Sequence, residues 1–166
     1  MTILKFKLQP PLLALLAGAL LPLNACKKDE TSGGTGQLNL EITDCPADDP
    51  NVTGVFVTIA EVKVDGQTFS GFSGKKTVNL MTLQQGNVAL LGLGDLGTGS
   101  YQNITLVLDH QTDATGGSPG CYVLTADNVK HALSASAGQS LTASKNFAVT
   151  TGATTSLVID FDLRKS

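Results

Sequence analysis

Val55-Phe-Val-Thr-Ile-Ala-Glu-Val-Lys-Val64 carries apolar side chains at every second position but changes phase midway. Val55, Val57 and Ile59 share one phase, and Ala60, Val62 and Val64 take over the other. A period of two belongs to a half-buried β-strand. A one-residue phase change inside a single run is the mark of a β-bulge, where two residues of one strand oppose one residue of its partner. The expectation is one long strand, bulged near Ala60 and Glu61.

Outward from this strand the same period recurs. Leu38, Leu40 and Ile42 alternate with Asn39, Glu41 and Thr43, and the run stops at Asp44-Cys45-Pro46. Further strands are expected around 77–81, 101–109, 121–125, 141–150 and 155–163. In the last, Leu157, Ile159, Phe161 and Leu163 face one way, so Asp160 and Asp162 face the other. No stretch has the apolar spacing of a long helix. Gly92-Leu-Gly94-Asp-Leu-Gly97 spells Gly-x-Gly-x-x-Gly, but a dinucleotide site needs a helix after the motif. Here Thr98-Gly99-Ser100 leads straight into a strand, so the glycines read as turn formers. Many short strands separated by Gly-rich turns predict an all-β fold, an antiparallel β-sandwich of immunoglobulin-like or transthyretin-like type, in a single domain over 37–166.

Composition agrees with a secreted β-protein. Only 15% of the 166 residues are charged, with 18 glycines and many Ser and Thr. The formal charge is −3. Removing 1–25, with Lys5 and Lys7, leaves nine basic against fourteen acidic side chains, or −5. A mildly acidic surface is a poor partner for nucleic acid, and no nucleic-acid partner is expected.

The amino terminus carries an address. Lys5 and Lys7 precede the apolar run from Pro11 to Leu23, within the 7–15 residues of a signal-peptide core and short of the ~20 that span a bilayer. The run closes on Leu23-Asn24-Ala25-Cys26, which resembles the bacterial lipobox, although Asn24 is an unusual member. The resemblance implies a signal peptide over 1–25, cleavage before Cys26 and lipidation of its thiol, with fatty acylation such as palmitate. Each buried methylene contributes about 0.8 kcal/mol, so two or three chains anchor a protein to a membrane effectively permanently. Lys27-Lys28-Asp29-Glu30 is similar to the Lys-then-acid signal that sends lipoproteins of the Bacteroidota to the cell surface. Thr31 to Gly36 follows as a flexible linker, so 26–36 is read as anchor and tether. The expected location is the outer membrane, facing the cell surface.

Five blocks in order resemble one family. They are Ile42-Thr-Asp44-Cys-Pro46-Ala, Val55 to Val64, Asn79-Leu-Met-Thr-Leu83 with Gly86, Gly99-Ser-Tyr101-Gln-Asn-Ile-Thr-Leu106, and Ile159-Asp-Phe-Asp-Leu-Arg-Lys-Ser166. Together they look like the bacterial domain of unknown function 4382, over about 37–166. The resemblance implies a secreted or lipid-anchored β-sandwich and transfers no activity. Two departures stand out. Cys45 stands where members more often have Ala, and the chain stops at Ser166 where many continue into further strand. The expectation is an open edge, a site for pairing with another chain.

Few residues offer chemistry. Cys45 and Cys121 are the cysteines besides Cys26, and an oxidising envelope permits a disulfide between them. Closing a loop of about 75 residues, it would contribute roughly 4 kcal/mol in the chain-entropy model. Two separate buried thiols, or a metal site lacking the usual paired spacing, are the alternatives. Asp44, Asp48 and Asp49 crowd one loop, and Asp160 and Asp162 share a strand face. Calcium takes six to eight oxygens, so these carboxylates are the candidate Ca2+ ligands, against the plainer reading of Asp44 as an Asx-turn acceptor before Pro46. Asp109 and Asp113 flank another turn. His110 and His131 lack a recognisable catalytic context and read as surface residues. With Glu30, Glu41 and Glu61 the only mature glutamates and no Trp, neither glycoside cleavage nor an aromatic glycan platform is favoured. The expected function is a non-catalytic surface module, membrane-bound through its lipid, presenting a face, loop end or edge strand to another protein or an extracellular ligand. The alternative is a structural accessory of an envelope or pilus-like assembly, engaged by strand addition.

Overall fold

The computed structural model describes residues 33–44, 49–134 and 139–161. Its strands are β1 (Thr35–Asp44), β2 (Val52–Val64), β3 (Gln67–Thr68), β4 (Lys76–Asn79), β5 (Ala89–Gly97), β6 (Gly99–Leu108), β7 (Tyr122–Thr125), β8 (Lys130–Ala132), β9 (Ser140–Val149) and β10 (Thr154–Phe161), with one 3₁₀ turn at Leu80–Leu83. Strand β1 starts at Thr35, inside the stretch read as linker.

Strand β2 is the hub. It pairs antiparallel with β3, β4, β6 and β7. Ile59 pairs with both Leu108 and Lys76, and Phe56 with both Tyr122 and Asn79. Strand β4 therefore lies along the edge of β2 opposite β6 and β7. The β2–β6 register shifts between Ile59 and Glu61, which is the bulge the phase change announced. Across it Val55, Val57, Ile59, Val62 and Val64 all stay buried. Strand β8 extends this sheet beside β7, and β9 extends it beside β6.

The second sheet has order β10-β1-β5. Leu38, Leu40 and Ile42 on β1 are 0% exposed and meet the apolar face of β2 and β6 in one core. The fold is an all-β sandwich, as expected. One pairing departs from a purely antiparallel plan, since β1 and β10 run parallel.

Two local readings are corrected. Strand β4 ends at Asn79 rather than reaching Met81, because the Asn79 side chain accepts hydrogen bonds from Met81 N and Val55 N, both at 3.2 Å, and starts the 3₁₀ turn. The glycines of 92–97 are not turn formers but lie inside β5, paired with β1. Gly71, in the crossing between β3 and β4, packs its backbone onto them: a Cβ on Gly94 would lie 2.4 Å from Gly71 Cα, and one on Gly92 2.6 Å from Gly71 O. Glycine within a strand commonly marks such a close backbone approach. The ammonium of Lys76 adds a hydrogen bond to Leu91 O at 2.7 Å. This side of the sandwich, between β4 and β5, is thereby laced shut.

Candidate functional site

Cys26, Cys45, Asp48 and Asp162 lie outside the described residues. Cys121 is a free, buried thiol, so the expected disulfide is not formed at this residue. The sulfur is held in the sheet instead: Thr58 N donates to Sγ at 3.4 Å, and the thiol donates to Asp109 O at 3.4 Å. Burial pushes this thiol above its ordinary pKa, which keeps it protonated and unreactive.

Of the two carboxylate groups, Asp48 and Asp162 are not described, and the described Asp44 and Asp160 do not share a face. Thr43 pairs with Asp160 and Asp44 with Phe161 in the β1–β10 ladder. Adjacent strand positions point to opposite faces, so Asp44 is buried on the inner face while Asp160 is exposed on the outer one. Asp49 accepts from Asn51 N at 2.9 Å as a turn former. Among the described residues no three His, Cys, Asp or Glu side chains stand together.

The loop from Asp109 to Cys121 is pinned by polar groups. Asp109 Oδ1 accepts from Gln111 N and Thr112 N at 2.8 and 3.0 Å, and its Oδ2 pairs with the Lys75 ammonium. Thr58, 0% exposed, donates to Gly120 O at 2.6 Å, and Thr77 Oγ1 accepts from Ala114 N at 2.8 Å. Asp113 Oδ1 accepts from Thr115 N and Gly117 N. His131 is exposed, but His110 is half-buried, contrary to its reading as a surface residue; its Nδ1 donates to Leu133 O at 3.0 Å. These side chains serve the loop's own structure.

Asp109 makes stability depend on acid. The Lys75 ammonium, then the N–H groups of Thr112 and Gln111, hold its carboxyl well below the usual carboxylate range. A depressed folded-state pKa contributes stability that is fully present above the unfolded value of about 4 and is lost as pH falls through the folded value. Asp109→Asn is expected to lower the Tm at pH 7 by about 4 °C. The gap from wild type narrows below about pH 4, which thermal melts across pH 2–7 will read.

Two surface features stand out among the described residues. On the outer face of the β10-β1-β5 sheet, Glu41 lies between Leu90 and Val158, and Asn39 between Leu93 and Ser156. Leu90, Leu93 and Val158 are 52%, 51% and 52% exposed, so apolar side chains flank a polar stripe. Sequence pattern missed this face because a bulge at Leu91 turns both Leu91 and Gly92 inward and leaves Leu90 outside. The second feature is a seam between edge strands β9 and β10, with two hollows of about 450 and 190 Å3.

The chain is thus a two-sheet β-sandwich protein whose distinctive surfaces, among the described residues, are a mixed sheet face and the seam between β9 and β10. It belongs to the family described as Domain of unknown function (DUF4382), whose model matches residues 35–166. No curated protein and no solved structure matches the chain.

Proposed function

We infer that this is a lipid-anchored cell-envelope protein whose sandwich is a non-catalytic binding module for another protein. The observation that carries the reading is the outer face of the β10-β1-β5 sheet, where Leu90, Leu93 and Val158 stand half-exposed around Asn39 and Glu41. Apolar side chains grouped on a polar face are the ordinary make-up of a protein-recognition surface. The lipobox-like Leu23-Asn24-Ala25-Cys26 and the charged tether after it support anchoring through Cys26 at the outer membrane, facing outward. An extracellular protein is the partner this arrangement favours.

Protease shaving of intact cells tests the location, with a periplasmic protein as control. Loss of the domain while the control survives supports surface display; protection until the membrane is broken overturns it. A photoreactive side chain at Leu93 tests the binding face. It is expected to trap one dominant protein that the same group at Thr53 does not, and Leu90→Asp is expected to cut that product about tenfold. Turnover of a glycan, ester or peptide by the purified chain would overturn the non-catalytic reading.

A further inference from the structure

Most acidic side chains of the sandwich serve its own structure. Glu61 pairs with Lys63, and Asp109 with Lys75. Asp49, Asp65, Asp113 and Asp127 accept hydrogen bonds from backbone N–H groups of nearby turns and strands. Asp44 and Asp160 have partners of their own. Two carboxylates are left over. Glu41 meets only the Asn39 amide, at 3.4 Å. No cation or hydrogen-bond donor among the described residues meets the Asp95 carboxylate.

Both stand on the outer face of the β10-β1-β5 sheet. Half-buried Glu41 has the half-exposed Leu90 and Val158 on its two sides. In the next outward row Asn39 lies beside Leu93, and in the one after that Gln37 lies beside Asp95. The outward positions of the three strands also include Asp160, and among them is no lysine, arginine or histidine. The face is therefore acidic as well as apolar, and the two carboxylates that the fold does not use are set along it rather than clustered.

We propose that this face takes an extended segment of a partner protein that carries an arginine, an apolar residue and a second basic residue at alternate positions. The inference rests on the binding-module reading above and names the chemistry of the partner. Asp95 pairs with position 37 and Glu41 occupies position 41 of the same strand. At about 3.3 Å per residue the two carboxylates are therefore about 13 Å apart along the strand direction. In an extended partner segment that span separates residues i and i+4, and residue i+2 falls on Leu93. Arginine suits Glu41 better than lysine does. Its stem lies along Leu90 and Val158, and its planar, weakly hydrated guanidinium enters a half-buried site more readily than an ammonium. Opposite charge across the contact fixes the register of the segment and rejects acidic competitors.

Methyl NMR of the full chain tests this, with the capped heptapeptide Thr-Arg-Thr-Leu-Thr-Arg-Thr as probe. The peptide is expected to move the signals of Leu90, Leu93 and Val158 to saturation in the millimolar range, and its counterpart with glutamate for both arginines to move none of them. Glu41→Gln is expected to raise the Kd about tenfold, and Asp95→Asn, at a fully exposed position, about twofold. Lysine in place of the first arginine raises it about threefold. Equal movement by the glutamate peptide overturns the proposal, as does an arginine peptide that moves Leu141 and none of the three. Movement of the three signals on raising the protein concentration alone would seat a second copy there and also overturns it. Undiminished trapping at Leu93 in the Glu41→Gln, Asp95→Asn double variant overturns the basic partner and leaves the binding-module reading standing. A wild-type chain that traps no dominant protein yet responds to the arginine peptide overturns that reading alone.

Discussion

Gly94→Ala is expected to destabilise the fold by about 3 kcal/mol, a Tm loss on the order of 10 °C. The added methyl would lie 2.4 Å from Gly71 Cα and 2.7 Å from Gly71 N. Both are backbone atoms, so no rotamer change relieves the overlap, and the crossing segment must lift from β5. The reciprocal position behaves alike: a Cβ on Gly71 would meet Gly94 N at 2.6 Å and Leu93 C at 2.7 Å. Gly99→Ala is the control. Its nearest neighbour would be Tyr101 Cε2 at 3.9 Å, an ordinary contact, so it is expected to stay within about 0.5 kcal/mol of wild type. Thermal melts of the three variants decide the matter. Equal melting of Gly94→Ala and Gly99→Ala would show that the crossing segment does not press on β5.

Phe69→Ala is expected to cost about 4 kcal/mol, or a Tm loss of about 15 °C. Phe69 is 1% exposed and is the largest of the fully buried side chains among the described residues. Its backbone N donates to Val62 O at 2.8 Å, and its carbonyl accepts from Phe72 N at 3.1 Å. The ring thus anchors the segment that carries Gly71 onto β5, so its removal opens a cavity and frees the crossing together. Since the two sites share that crossing, the double variant with Gly94→Ala is expected to lose less than the sum of the singles. Full additivity, measured by denaturant titration, would show that the ring and the glycine contact act independently.

Both predictions concern a contact that local pattern misread. Glycine is a poor strand former, and Gly92-Leu-Gly94-Asp-Leu-Gly97 therefore read as turns. It is a strand because Gly71, some twenty residues earlier, needs the room that side chains would take. The disulfide expected of Cys121 is absent, and the alternative of a buried thiol is what the structure holds there. Compartment allows Cys121 a partner, but nothing in sequence spacing shows that Thr58 N and Asp109 O already occupy its sulfur.

The carboxylates show where pattern ends most clearly. Alternation correctly turned Asp160 away from Leu157, Ile159 and Phe161. The same alternation carries Leu38, Leu40 and Ile42 on to Asp44, which is buried on the inner face. What it could not show is that Asp44 stands opposite Phe161 rather than Asp160. Register between distant strands decides which side chains meet, and a shift of one residue reverses the face.

Side-chain alternation is local, so the order of residues alone determined the all-β class, the long β2 with its bulge at Ala60, and the blocks that mark the family. The strand status of the glycine run, the pairing of Asp44 with Phe161, and the β9–β10 seam, uncovered among the described residues, arose only on folding. Each depends on how segments far apart in the chain are brought into register and on how wide one sheet is beside the other, and neither quantity leaves a periodic trace in sequence.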